Sequence, residues 1–197
     1  MANSIGRNDK IKVVALDFDG VITSLDIDWN TAIHKGSAIV GYDIKSLILF
    51  YEKNFGTPNF HKVSVEMEKL ELEAIKKAPV LPHVKEALQK LAEKKIKIYI
   101  VSMQSYRVVK EFLNQHELSK FFQNVITRES CPGKKAQIEY LIRETAISPN
   151  QLLLVDDSKR NISLCSELGV TCFLFKPKQN IKDAKKVWDK VIECLND

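Results

Sequence analysis

Short apolar runs alternate along this chain with stretches in which apolar residues recur every three or four positions. Lys12-Val-Val-Ala-Leu16, Ile96-Lys-Ile-Tyr-Ile-Val101, Leu152-Leu-Leu-Val155 and Thr171-Cys-Phe-Leu-Phe175 are the clear runs, with Asn124-Val-Ile-Thr127 a weaker one. Runs of this length with little polar alternation predict strands buried on both faces, as inside a parallel sheet. Between them, Val84, Leu88 and Leu91 fall on one helical stripe, and Val108, Val109, Phe112 and Leu113 on a second. Ile138, Leu141 and Ile142 make a third, and Ile162, Cys165 and Leu168, stopped by Gly169, a fourth. Val187, Trp188, Val191, Ile192 and Leu195 make the last. Strand and helix in alternation predict an α/β fold, a Rossmann-like three-layer sandwich with a central parallel sheet and right-handed crossovers.

Residues 24–78 interrupt the rhythm. No buried strand is legible there, whereas Ile44, Leu47, Ile48 and Tyr51 share one helical face and Val63, Met67, Leu70 and Ile75 another, with Gly56-Thr-Pro-Asn59 between them. The segment reads as a small helical insertion after the first strand. Residues 1–23 and 79–197 are then the core, and Pro79-Val-Leu-Pro82 closes the insertion.

At 197 residues, 45% of them hydrophobic, one good core and a small appended module are affordable but two full domains are not. The four cysteines, Cys131, Cys165, Cys172 and Cys194, have neither zinc-site spacing nor disulfide-scaffold density, and read as reduced thiols filling the core. No stretch has signal-peptide or membrane-spanning character, so a soluble, cytoplasmic protein without a membrane partner is expected. The net charge of +5 is spread over lysines that alternate with acids, as in Glu93-Lys94-Lys95. Solvated helix faces account for that pattern, and a nucleic acid is not the expected partner. A modest positive field suits a small phosphorylated metabolite.

The chemistry-bearing residues sit where ligands bind in open parallel sheets, beyond the carboxyl ends of the strands. The first strand runs into Asp17-Phe18-Asp19-Gly20, the second into Ser102 and the fourth into Asp156-Asp157, while Lys134 opens the helix after the third. Carboxylates gathered on one rim repel one another, and a cation is the simplest remedy. Oxygen donors with no histidine nearby point to Mg2+. A hydroxyl and an ammonium on the same rim complete what a metal-bound phosphate needs.

Order and spacing together resemble the four motifs of the haloacid dehalogenase superfamily. Asp17-Phe-Asp19-Gly-Val is similar to the first, Val101-Ser102 to the second, Lys134 to the third and Val155-Asp156-Asp157 to the fourth. The resemblance implies a phosphatase whose nucleophile is Asp17 and whose general acid and base is Asp19. It implies that Ser102 and Lys134 bind the phosphoryl group. It also implies a Mg2+ site of Asp17, the Asp19 carbonyl, Asp157 and, directly or through water, Asp156. Lys135 competes with Lys134 for the third motif, and Asn161 stands where some members carry a further acid. The insertion corresponds to the superfamily's C1-position cap, with hinges expected near Ser24 and Pro79–Pro82.

Candidate specificity residues are Trp29, His34, Lys35, Tyr42, Lys45, Tyr51, Lys53, Asn54 and His61 on the insertion, and Gln104, Tyr106 and Arg107 after the second motif. A short phospho-acid of the phosphoglycolate kind is the expected substrate. Alternatives within the superfamily are a phosphomutase or phosphotransferase and a nucleic-acid end phosphatase. A non-catalytic binding module would have lost a motif residue, and none is lost. Asp19 argues against dehalogenation, because a halide leaves without a proton.

Overall fold

The computed structural model describes residues 10–176 and 181–195, so the reading of the extreme amino terminus as free of targeting signals lies mostly outside the described residues. Five parallel strands form one sheet in the order β3-β2-β1-β4-β5. They are β1 (Val13–Leu16), β2 (Lys97–Val101), β3 (Phe122–Ile126), β4 (Leu152–Asp156) and β5 (Thr171–Leu174). The chain winds outward from β1 to β3, returns to the far side of β1, and winds outward again. The order therefore reverses between β1 and β4, and the crevice beyond their carboxyl ends is where such sheets bind ligands.

Alternation along the strands sorts the core into two layers. Val14, Leu16, Ile98, Ile100, Leu153 and Val155 pack against α4 (Val84–Glu93), α5 (Tyr106–Gln115) and α8 (Ile181–Glu193). Val13, Ala15, Tyr99, Val101, Leu152 and Leu154 pack against α6 (Lys134–Thr145) and α7 (Lys159–Ser166). By the same parity Phe18, next after Asp17, joins the first layer. Asp17 and Asp156 continue the second layer, the one that faces α6.

Three helices form between β1 and α4: α1 (Trp29–Val40), α2 (Leu47–Asn54) and α3 (Pro58–Ile75). Each opens on a side-chain cap that satisfies orphan backbone N–H groups. Asp28 accepts from Asn30 and Thr31, Ser46 from Leu49, and Thr57 from Phe60, with Pro58 in the first turn of α3. Gly41 ends α1 at φ 79°, a left-handed conformation that favours glycine. Ala32, Ile44, Phe50, Tyr51, Phe60, Val63 and Met67 form an apolar cluster of their own, joined from the sheet side by Met103. Where the chain enters and leaves this insertion, the Thr23 hydroxyl donates to the Pro79 carbonyl (2.8 Å) and the Leu81 N–H to the Ile22 carbonyl (2.9 Å).

The α1 helix was not legible as a helix of its own, because its buried residues are Ala32 and Gly36, too small to show as an apolar stripe. β3 begins at Phe122, earlier than the run at Asn124 suggests, because Gln123 and Asn124 are exposed. Cys131 and Cys165 are buried, and Cys172 and Cys194 half-buried. Among the described residues no helix is long and apolar enough to cross a membrane.

Candidate active site

Asp17 follows β1 directly and is buried. Its Oδ1 accepts from the Phe18 N–H (2.8 Å) and from the Lys134 ammonium (3.0 Å). Lys134 reaches it from the first turn of α6 and also lies 3.2 Å from Asp156 Oδ2, while donating to the Val101 carbonyl. Lys134 is thus buried among acceptors from β1, β2 and β4, whereas Lys135 is exposed. Burial pulls the lysine toward neutrality, but Asp17 and Asp156 outweigh it and hold its pKa above the ordinary value.

Asp17 experiences the opposite balance. Burial, reinforced by Asp156 and Asp157 against the pull of Lys134, pushes its pKa up to about 8. Carboxylate oxygens of Asp17, Asp156 and Asp157 lie within 4.8 Å of one another, and a single ammonium does not neutralise three such groups. Either a proton or a cation has to enter. The donors are all oxygens, so they fit a hard divalent ion.

The turn after Asp17 makes room for this cluster. Gly20 has φ 86°, and a Cβ there would lie 2.4 Å from Asp157 Oδ2. Only a residue without a side chain lets the Asp157 carboxylate occupy that space. Asp156 is oriented from α7: Asn161 Nδ2 donates to both its oxygens (3.1 Å each) and the Ser158 N–H to Oδ1 (2.8 Å). The amide at position 161 therefore holds the carboxylate by hydrogen bonds instead of adding a fourth negative charge.

The Asp19 carboxylate turns toward the insertion, where Oδ1 accepts from the Leu25 N–H (2.8 Å). It does not belong to the acidic triad, yet it lines the same cavity. Ser102 is fully buried and its hydroxyl donates to Gln104 Oε1, so Gln104 lines the cavity where Ser102 does not.

The cavity measures about 490 Å³ and lies between the sheet edge and the three-helix insertion. Asp17, Asp19, Lys134 and Asp157 form its floor, and Trp29, Ile33, Lys45, Tyr51 and the first turn of α2 form the opposite wall. Of the specificity candidates, Trp29, Lys45, Tyr51 and Gln104 line it; His34, Lys35, Tyr42, Lys53, Asn54, His61, Tyr106 and Arg107 do not.

Two charged pairs that the sequence did not reveal join the insertion to the sheet. Arg128, in the loop after β3, is fully buried and donates to Glu71 of α3, to Ser64 Oγ (2.7 Å), to the Ser64 carbonyl (3.1 Å) and to the Met103 carbonyl (3.0 Å). Burial raises the pKa of Glu71, and Arg128 counters it. At the rim, Arg160 beside the fourth motif meets Glu52 of α2 at 2.8 and 3.0 Å. Glu52 also fills the space a side chain at Gly133 would take. Gln137 on α6 steadies the end of β2 through the Ser102 carbonyl (2.7 Å).

The phosphoglycolate phosphatase of Vibrio vulnificus is 30% identical to this chain over 95 residues, which are 47% of this chain and 42% of the relative. The chain thus matches less than half the length of that relative. The fold is shared with a HAD phosphatase from Thermococcus onnurineus, at TM-score 0.61 and 19% identity over 86% of this chain and 88% of that one. It is shared too with a HAD-family enzyme from Bacteroides thetaiotaomicron solved with magnesium and inorganic phosphate, at TM-score 0.58 and 17% identity over 83% of this chain and 93% of that one. The family model of the haloacid dehalogenase-like hydrolases matches residues 14–175, which take in all five strands but for Val13 and every acid described above, and the chain belongs to that family.

Proposed function

We propose that the protein is a Mg2+-dependent phosphatase that hydrolyses a small phosphate monoester through an aspartyl-phosphate on Asp17. The observation that carries this reading is the setting of Asp17: a buried carboxylate at the floor of a cavity, held by Lys134 at 3.0 Å and facing two further acids. A nucleophile needs that fixed orientation, and the surplus negative charge fits a divalent cation. Asp17, Asp156 and Asp157, with the Asp19 carbonyl, would hold Mg2+, which supplies charge neutralisation for the incoming dianion.

The residues then divide the work. The Asp17 carboxylate attacks phosphorus and the ester oxygen departs, taking the proton of Asp19. Asp19, now ionised, removes a proton from water, which attacks the phosphorus of the acyl phosphate and restores Asp17. Lys134 balances charge on the phosphoryl oxygens throughout, and Ser102, released from Gln104, adds a hydrogen bond. Residues 24–78 serve as a cap over the core of 1–23 and 79–197, keeping water out while phosphorus is attacked. Similarity to phosphoglycolate phosphatases supports a small phosphorylated substrate.

The test is phosphate release from a chromogenic aryl phosphate with and without Mg2+, by the wild type and by Asp17→Asn. Turnover that needs both the metal and Asp17 is expected. Equal turnover by the two proteins removes Asp17 from the mechanism.

A further inference from the structure

Each lysine and arginine lining the cavity already faces a carboxylate. Lys134 lies 3.0 Å from Asp17 and 3.2 Å from Asp156, Arg160 is gripped by Glu52, and Lys45 pairs with Asp43. With the partners included, Asp17, Asp43, Glu52, Glu71, Asp156 and Asp157 stand against Lys45, Arg128, Lys134 and Arg160, and Asp19 carries the proton it gives to the leaving group. A divalent ion and a phosphate dianion would cancel each other. A second anionic group on the substrate would have to draw Lys45 or Arg160 away from its acid at the rim, and a desolvated carboxylate without a partner is strongly disfavoured.

The wall opposite the acids is apolar. Trp29 and Ile33 of α1 and Leu47 and Ile48 of α2 supply it, and the Trp29 ring is only partly covered by protein. Beside them Tyr51 adds its side chain to the lining, while its hydroxyl is buried. Burial raises its pKa, so it keeps its proton. The cavity of about 490 Å³ has room for a ring beside a phosphate.

Building on the phosphatase reading above, we propose that the leaving group of the substrate is uncharged, with a ring-sized apolar body that lies against Trp29 and Ile33. A phosphorylated short acid is then a poor substrate of this chain, whatever its relatives hydrolyse.

Two measurements on the full chain with Mg2+ test this. Calorimetric titration compares benzylphosphonate, which has a neutral ring, with phosphonoacetate, which has a carboxylate at similar reach. Benzylphosphonate is expected to bind about 10-fold tighter or better, Trp29→Ala to shrink that gap below about 3-fold, and Trp29→Phe to keep most of it. In turnover, kcat/KM for phenyl phosphate should exceed that for 4-carboxyphenyl phosphate by about 10-fold, although the carboxylate makes the phenolate a somewhat better leaving group. Equal or tighter binding of phosphonoacetate, binding of neither phosphonate, equal kcat/KM, or a gap that Trp29→Ala leaves intact overturns the proposal. Asp17-dependent turnover combined with a preference for phosphonoacetate sinks this inference alone. Trp29-dependent binding of benzylphosphonate without turnover of any ester sinks the hydrolase reading and leaves the subsite standing.

Discussion

The pair formed by Arg128 and Glu71 allows a quantitative test of how the insertion is fixed to the sheet. Both side chains are almost wholly out of solvent, at 0% and 2% exposure. Removing one partner strands the other charge, so Glu71→Leu and Arg128→Met should each destabilise the fold by about 3–5 kcal/mol. The double substitution strands no charge. It forfeits the donors to Ser64 Oγ, the Ser64 carbonyl and the Met103 carbonyl and the acceptor for the Ser105 N–H, at about 1 kcal/mol each, or about 4 kcal/mol in all. The two single effects should therefore exceed the double by about 2 kcal/mol or more. Urea denaturation of the four proteins in a double-mutant cycle measures this, with equal m-values confirming that the unfolded states match. The rim pair of Glu52 and Arg160, at 27% and 43% side-chain exposure, serves as control and should couple by no more than about 1 kcal/mol. Additivity within about 0.5 kcal/mol at Arg128 and Glu71 refutes the reasoning.

The remaining expectations concern the acidic floor. Gly20→Ala should lower stability by about 1–2 kcal/mol through its left-handed backbone, and should also weaken Mg2+ binding by displacing Asp157, as followed by urea unfolding and calorimetry. Between the ordinary value of 3.8 and about 8, folded Asp17 keeps a proton that the unfolded chain has released, so raising pH across that window costs the metal-free protein stability. Mg2+ binds the ionised form, so the rise in Tm on adding it should be larger at pH 8.5 than at pH 6; the reverse order contradicts the site. Lys134→Met should lower kcat by about 10²-fold or more while Lys135→Met stays near wild type, and matched losses in phosphate-release assays would show that burial does not distinguish them.

The parts of this architecture written in the sequence are those where one residue's neighbours along the chain are also its neighbours in space. The runs at Val13–Leu16 and Leu152–Asp156 are legible because central parallel strands are buried on both faces. The acids follow because strand ends are local features. The choice between Lys134 and Lys135 is not local; it depends on which face of α6 meets the layer that ends in Asp17. The bond between Arg128 and Glu71 spans 57 positions and carries no periodic signal, so it needs the folded chain to be seen. The α1 helix escaped because a buried face of Ala32 and Gly36 leaves no apolar stripe. Tyr51 was legible as a specificity candidate, but the burial of its hydroxyl was not.

The tie at the base of the insertion bears on how the chain reaches its fold. Thr23 and Pro79 are 56 positions apart, yet they bond directly. Closing an unstructured loop of that length costs about 3.6 kcal/mol in chain entropy beyond a constant, more than two hydrogen bonds return. If the cluster of Phe50, Phe60, Val63 and Met67 condenses first, it draws these ends together in advance, and β1 meets β2 as though the intervening chain were a short turn. The insertion would then help to nucleate the sheet beneath it, and sequence changes inside it should slow refolding.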